Sequence, residues 1–398
     1  MLGLLPQGAT ALVEQSQDDL LIRQPRAVFT VDSTSDDTNA HDKNMGDGNC
    51  ESWLNECTLR AAIQESNAYT GTDTIDFDAA LQGSTIYIDT SEGALPALTE
   101  AVTIDASAIW DAGNDQPGIS LNGSGGSFWG FGIEADGCAI YGVHVTNFQG
   151  SAVYATSAYN TIGGSASGQR NIVSGNVTGV HLSGTGAHHN TVQGNWIGLS
   201  VTGDTASPNT TGVLIVSEAN NNTIGGDTAA KGNYISGNSG PGVQIQGLNT
   251  DANALHNNTM GLAADGITPL ANGSYGVYLA NSAQSNLIGG AMGGNTIASS
   301  GLDGVHLYSA SFNTLESNTI TANQNQGVYL NDAPNNQLLV NTISHNTGNG
   351  VLVNGATATS NLIAANSIHN NGLAGIELLS GGNNELPAPT ITSATPTG

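Results

Sequence analysis

The chain has 398 residues, six Lys and Arg against 32 Asp and Glu, and a formal net charge of −26. That balance excludes DNA or RNA as the main ligand, because phosphate-backbone binding needs clustered Lys and Arg, and it disfavours anionic membrane surfaces. Fifty-four glycines and only 10% charged residues depart from ordinary globular composition, yet 38% apolar residues at regular spacing can bury a core.

Residues 1–27 read as a leader or extension. Leu2, Leu4, Leu5 and Leu12 are interrupted by Glu14, Asp18 and Asp19, so no signal-peptide pattern emerges, and an export signal would have been trimmed or lost. No apolar run reaches the ~18–20 residues of a membrane span, so no membrane insertion is expected.

Residues 28–100 are irregular. Ala27–Val31 predicts a strand, and Thr58–Ala68 predicts a short helix with Thr58 as N-cap and Leu59, Ala62, Ile63 and Ser66 on one face. Strands follow at Thr74–Phe77, Thr85–Ile88 and Val102–Ile104. Between the first strand and the helix lies an acidic loop. Within it, Asp42-x-Asn44-x-Gly46-Asp47-Gly48 partly follows a calcium loop, in which alternate oxygen ligands wrap the ion. Gly46 stands where Asp or Asn is expected, so Asp42, Asn44 and Asp47 are candidate calcium ligands set against a merely solvated loop. Cys50 and Cys57 lie close enough to bridge, which would suit an oxidising compartment; two free thiols are the alternative.

From about residue 150 the sequence repeats, and residues 101–386 read as one solenoid domain. Gly-Val-x-apolar recurs at Gly179, Gly212, Gly242, Gly276, Gly304, Gly327 and Gly350, and as Gly375-Ile376. Asn-x-apolar recurs twice per unit, from Asn160 and from Asn171 onward. The bare unit is about 23 residues; insertions lengthen earlier units between the second and third signatures or after the third. Each signature has period two and reads as a very short strand. Three strands per turn, with Gly and Asn supplying left-handed corners, give parallel stacking of successive turns. Inward Val, Ile and Leu then build a shared core, and inward Asn can stack into amide ladders. The expected fold is all-β, a single-stranded right-handed parallel β-helix with a short N-terminal capping helix. Leucine-rich repeats are the disfavoured alternative, since no L-x-x-L-x-L pattern recurs. Residues 387–398, rich in Pro, Thr and Ser, read as a linker.

Gly46-Asp47-Gly48-Asn49-Cys50 followed by Cys57-Thr58-Leu59-Arg60-Ala61-Ala62-Ile63-Gln64-Glu65-Ser66-Asn67-Ala68 resembles the CSLREA-type domain, with Thr58 in place of Ser and Ala61 in place of Glu. The downstream NTIGG, ISGN and GV-x-L turns resemble the β-helix repeats of the same secreted prokaryotic proteins. The resemblance implies export and an extracellular or cell-surface location. It implies no particular activity, because the fold hosts lyases, hydrolases, epimerases, adhesins and fibre proteins.

In the Gly-Val-x-apolar signature, x points outward, which places Tyr278, His306 and Tyr329 in adjacent turns. The third signature does the same for Trp196 and Tyr234. These five are candidate carbohydrate contacts, since aromatic faces stack on pyranose rings; the competing reading is that aromatics suit strands. Carboxylates beyond residue 150 scatter, and only Asp204 and Asp265 occupy equivalent positions. Arg170 and Lys231 alone supply cations beyond residue 100, in different turns, a poor set for an anionic polymer. The expectation is an extracellular, non-catalytic module for surface display, adhesion or glycan contact. Its rivals are a polysaccharide lyase or glycoside hydrolase, and a fibre self-associating through solenoid ends.

Overall fold

The structure, a computed structural model, describes residues 26–386. The expected linker at 387–398 and nearly all of the expected leader lie outside the described residues.

The chain winds as a parallel β-helix of three sheets, with 12, 11 and 10 strands. The first runs from Val28–Val31 through Asp73–Phe77 and Val102–Asp105 to Leu362–Ala364, without a break near residue 100. The second begins at Ser84–Tyr87 and ends at Ser367–His369; the third runs from Phe131–Ile133 to Ile376–Leu379. Every pairing between these strands is parallel, and like pairs with like: Val305, Val328 and Val351 are register partners, as are Leu307, Leu330 and Val353. All six are fully buried. A short strand buries too little alone; the stack turns single residues into continuous apolar columns.

The signature glycines are required by close approach. A Cβ on Gly304 would lie 2.5 Å from Ile320 Cγ2 and 2.7 Å from the Gly327 carbonyl oxygen, and Gly327 meets Ile343 and Gly350 in the same way. Gly and Asn take many of the left-handed corners, among them Gly198, Gly225, Gly261, Asn257 and Asn370, but other residues share them. One set is the residue before each Asn of the first ladder: Tyr159, His189, Asn221, Ala252, Ser285, Phe312, Asn335 and Ser360 all have positive φ. The ladder Asn itself uses its amide. Asn253 Oδ1 accepts both the main-chain N–H and the Nδ2 of Asn222, each at 3.0 Å, and the same exchange joins Asn160 to Asn190 and Asn286 to Asn313. A second ladder runs through Asn195, Asn233 and Asn258. A third, through Asn176, Asn209, Asn238 and Asn272, was not anticipated. Its next position is Ser300, whose buried hydroxyl has no partner, and it resumes at Asn323.

At the N-terminal end the helix Leu59–Ala68 is capped by Thr58, whose side chain accepts from the Ala61 N–H. The helix buries the anticipated face, but Arg60 and Glu65 are buried as well. Arg60 makes a two-pronged ion pair with Asp36, at 2.7 and 2.9 Å, and donates to the carbonyls of Ala94 and Gly93. Cys50 and Cys57 form a disulfide.

Candidate functional site

Two outward surfaces gather chemistry. The first lies on the second sheet, where Ile172, Trp196 and Tyr234 are register partners. Ile172, outward by register, is fully buried yet outside the central core cluster, so it is covered from outside. The insertion at Gly164–Gly168, the short 3-10 turn Ala229–Lys231 and the segment around Trp110 and Asp115 enclose a groove of about 250 Å³ above this sheet. Trp196 and Tyr234 line it, and Arg170 stands among them.

The Arg170 guanidinium carbon lies 4.1 Å from the Trp196 ring centroid and 5.4 Å from that of Trp110. Flanking indoles attract the cation electrostatically and hold its plane. Nη1 donates to the Asp115 carboxylate at 3.2 Å, in a partly exposed pair. Arg170 stands two residues before Ile172, the register partner of Trp196, and so reaches the neighbouring turn's indole. Lys231 belongs to the segment beside the groove, but its ammonium is paired with Asp227 at 2.7 Å.

The second surface is on the third sheet. Gln244, Tyr278, His306 and Tyr329 are partners in successive turns. The His306 ring lies 5.6 Å from that of Tyr278 and 4.6 Å from that of Tyr329. Tyr275, absent from the sequence reading, stacks on Tyr278 at 4.9 Å and meets His306 edge-on. Burial pushes the Tyr275 and Tyr278 phenols above their ordinary range, and the Asp303 carboxylate adds to the effect on Tyr275.

His306 Nδ1 is 2.8 Å from Asp303 Oδ2, and both side chains are almost wholly buried. The other oxygen of Asp303 accepts from the Gln326 main-chain N–H. Gln326 and Asn349 continue that pattern, each side-chain oxygen accepting from the next turn, and Asn349 Nδ2 also donates to Glu377. Asp303 is therefore both the orienting partner of a histidine and the first rung of a polar ladder. Further up the same face, Trp129 stacks on Tyr154 and Tyr154 meets His181, a second aromatic run that sequence reasoning missed.

The other candidates are spent on local structure. Asp42 accepts from the main-chain N–H groups of Asn44 and Glu51, and Asp47 from that of Asn49. Glu65 accepts from Gly46 and Gly48, so the acidic loop is folded around its own amides. Among the described residues, no three His, Cys, Asp or Glu side chains converge as a metal site. Asp204 and Asp265 line a small pocket together. Hydroxyls of Thr202 and Thr268 hold these carboxyls below their ordinary range, the opposite of what a general acid requires. Asp303 and Glu377 stand three turns apart, about 14 Å at ~4.8 Å per turn, beyond the ~5–9.5 Å of a glycosidase pair.

A family model described as a right handed beta helix region matches residues 261–398. No curated protein matches the chain. Among solved structures it is similar to the A-module of the Azotobacter vinelandii mannuronan C-5 epimerase AlgE4 (15% identity, 81% of this chain and 91% of that one, TM-score 0.46). It is similar also to the pectate lyase Pel9A (14% identity, 87% and 79%, TM-score 0.49), and to the Dettilon tailspike protein (16% identity, 88% and 68%, TM-score 0.47). These are likenesses of fold alone; the three stacked parallel sheets make the chain a parallel β-helix, and the family model over residues 261–398 agrees with that fold.

Proposed function

We propose that this protein is an extracellular β-helix module that holds a glycan in the Trp196–Tyr234 groove without transforming it. The groove carries the reading. Tyr234 offers an apolar face for a sugar ring, the two indoles hold Arg170 in place, the exposed Ser165 and Ser167 present hydroxyls at the rim, and Arg170 and Asp115 supply a donor and an acceptor for sugar hydroxyls. Residues 28–100 serve as a CSLREA-type cap at the start of an exported chain, and the Cys50–Cys57 disulfide suits an oxidising compartment.

A catalytic reading has one observation in its favour, the Asp303–His306 pair beneath three tyrosines, since a carboxylate on Nδ1 fixes a histidine for proton transfer at Nε2. The two are separated by incubating the protein with a polysaccharide panel, measuring binding by calorimetry and products by reducing-end and unsaturated-sugar assays. Saturable binding lost in Trp196→Ala, with no product, supports the module. Product formation abolished by His306→Ala replaces it with an enzyme.

A further inference from the structure

The groove's single guanidinium decides what kind of sugar it takes. Resting on the groove as a glycan site, we infer that its ligand carries one isolated anionic group, a carboxylate or a sulfate ester, within an otherwise neutral saccharide, and that Arg170 reads it.

Three observations converge. Arg170 is held by Trp196 and Trp110 on its flanks, so the side-chain entropy that a flexible cation would lose on binding is already spent. Its one protein partner, Asp115, is 68% exposed and engages only Nη1, at 3.2 Å for the carboxylate and 3.4 Å for the carbonyl. Nε and Nη2 make no hydrogen bond to the described residues and are not buried. Those two N–H groups form the edge of the fork that pairs with a carboxylate or sulfate through parallel hydrogen bonds.

The rest of the molecule limits the charge that can arrive. The net charge is −26, and Lys231, the nearest other cation, is paired with Asp227. A run of anionic sugars would meet one free fork and a repulsive surface, whereas one acidic residue flanked by neutral sugars meets the fork with a neighbour against Tyr234. Asp115 serves as the placeholder that keeps the guanidinium compensated until the ligand arrives.

The test is a glycan array of matched probes. Each neutral oligosaccharide is paired with a form carrying one C6 carboxylate and a form carrying one sulfate ester, and a continuous polyuronate is included. Wild type is expected to bind the singly acidic probes ~10–100-fold tighter than their neutral partners, the size of a charge-assisted contact. Arg170→Gln is expected to lose that preference and Arg170→Lys to keep part of it, with near-ultraviolet circular dichroism showing both folded. Preference for carboxylate or for sulfate identifies the source of the charge, and either supports the inference. Equal binding of neutral and acidic probes, a preference that survives Arg170→Gln, or tighter binding of polyuronate at low salt overturns it while leaving the glycan groove standing. No binding to any probe, or binding indifferent to Trp196→Ala, removes the groove reading as well.

Discussion

The N-terminal cap and the late turns of the solenoid reach stability by opposite means. The turns after residue 300 rely mainly on buried Val, Ile and Leu columns and on Asn ladders that repeat in steps of 23 and then 25 residues, with the Asp303–His306 pair as the buried polar exception. The cap repeats nothing. It relies on a helix, a disulfide, a buried Arg60–Asp36 pair and carboxylates folded onto main-chain amides. A repeat shares its load among equivalent rungs, while a cap concentrates it in a few side chains without substitutes.

The largest expected effect follows from that concentration. Arg60→Ala leaves Asp36 buried without its partner and should cost about 3–5 kcal/mol in a chemical melt. Arg60→Met with Asp36→Leu should cost clearly less. An Arg60→Ala loss below ~1 kcal/mol would end the contrast.

Acid should separate the regions. In the solenoid, His144 lies between the hydroxyls of Ser120 and Ser174, and burial pulls its pKa down to about 4 from 6.5; His181 and His256 shift the same way through burial. The unfolded chain binds the proton first, so stability is full above pH ~6.5 and falls as pH drops toward 4, by roughly 3 kcal/mol for His144 alone. In the cap, burial raises the carboxyls of Glu65 and Asp73. There the folded state binds the proton first, so stability increases as pH falls through their folded values. Hydrogen exchange at pH 7 and pH 5 should show the solenoid losing protection as pH falls, and His144→Gln should flatten that response.

Asn253→Ala should cost about 2 kcal/mol, because it orphans the buried main-chain N–H of Asn222 and one of its two Nδ2 hydrogens, the other staying on the Ala187 carbonyl. Thermal melts of equivalent substitutions at Asn222 and Asn286 should agree within a few tenths if the rungs are interchangeable. The smallest effect is a gain. Val340 has φ 58° and is 56% exposed, so Val340→Gly should relieve left-handed strain at little packing cost and stabilise by up to ~1 kcal/mol.

Much of the fold was legible because a period of two inside a period of about 23 leaves one way to bury the apolar residues. Tyr278, His306 and Tyr329 fall into register for that reason. Tyr275 and Asp303 were missed because they occupy the position just before the signature glycine, a corner with no alternation to mark it. The third Asn ladder was hidden by insertions before Asn209 and Asn272 and by Ser300 in its row. The place of Trp110 and Asp115 beside Arg170 was not legible, because spacing along the chain does not say where an irregular segment packs. Glycine and Asn do take many of the left-handed corners, but Tyr159, His189 and Phe312 show that the residue before a ladder Asn takes that conformation whatever its type, so that the Asn can turn inward.

The claim on which the functional account depends is that the groove of the second sheet, and not the tyrosine strip of the third, meets the glycan. Hydrogen exchange with and without a bound oligosaccharide, followed by mass spectrometry, tests it directly. The account predicts new protection in peptides spanning 163–170, 194–198 and 228–235, with 275–280, 303–308 and 326–331 unchanged. Protection confined to the latter three would contradict it and move the site to His306.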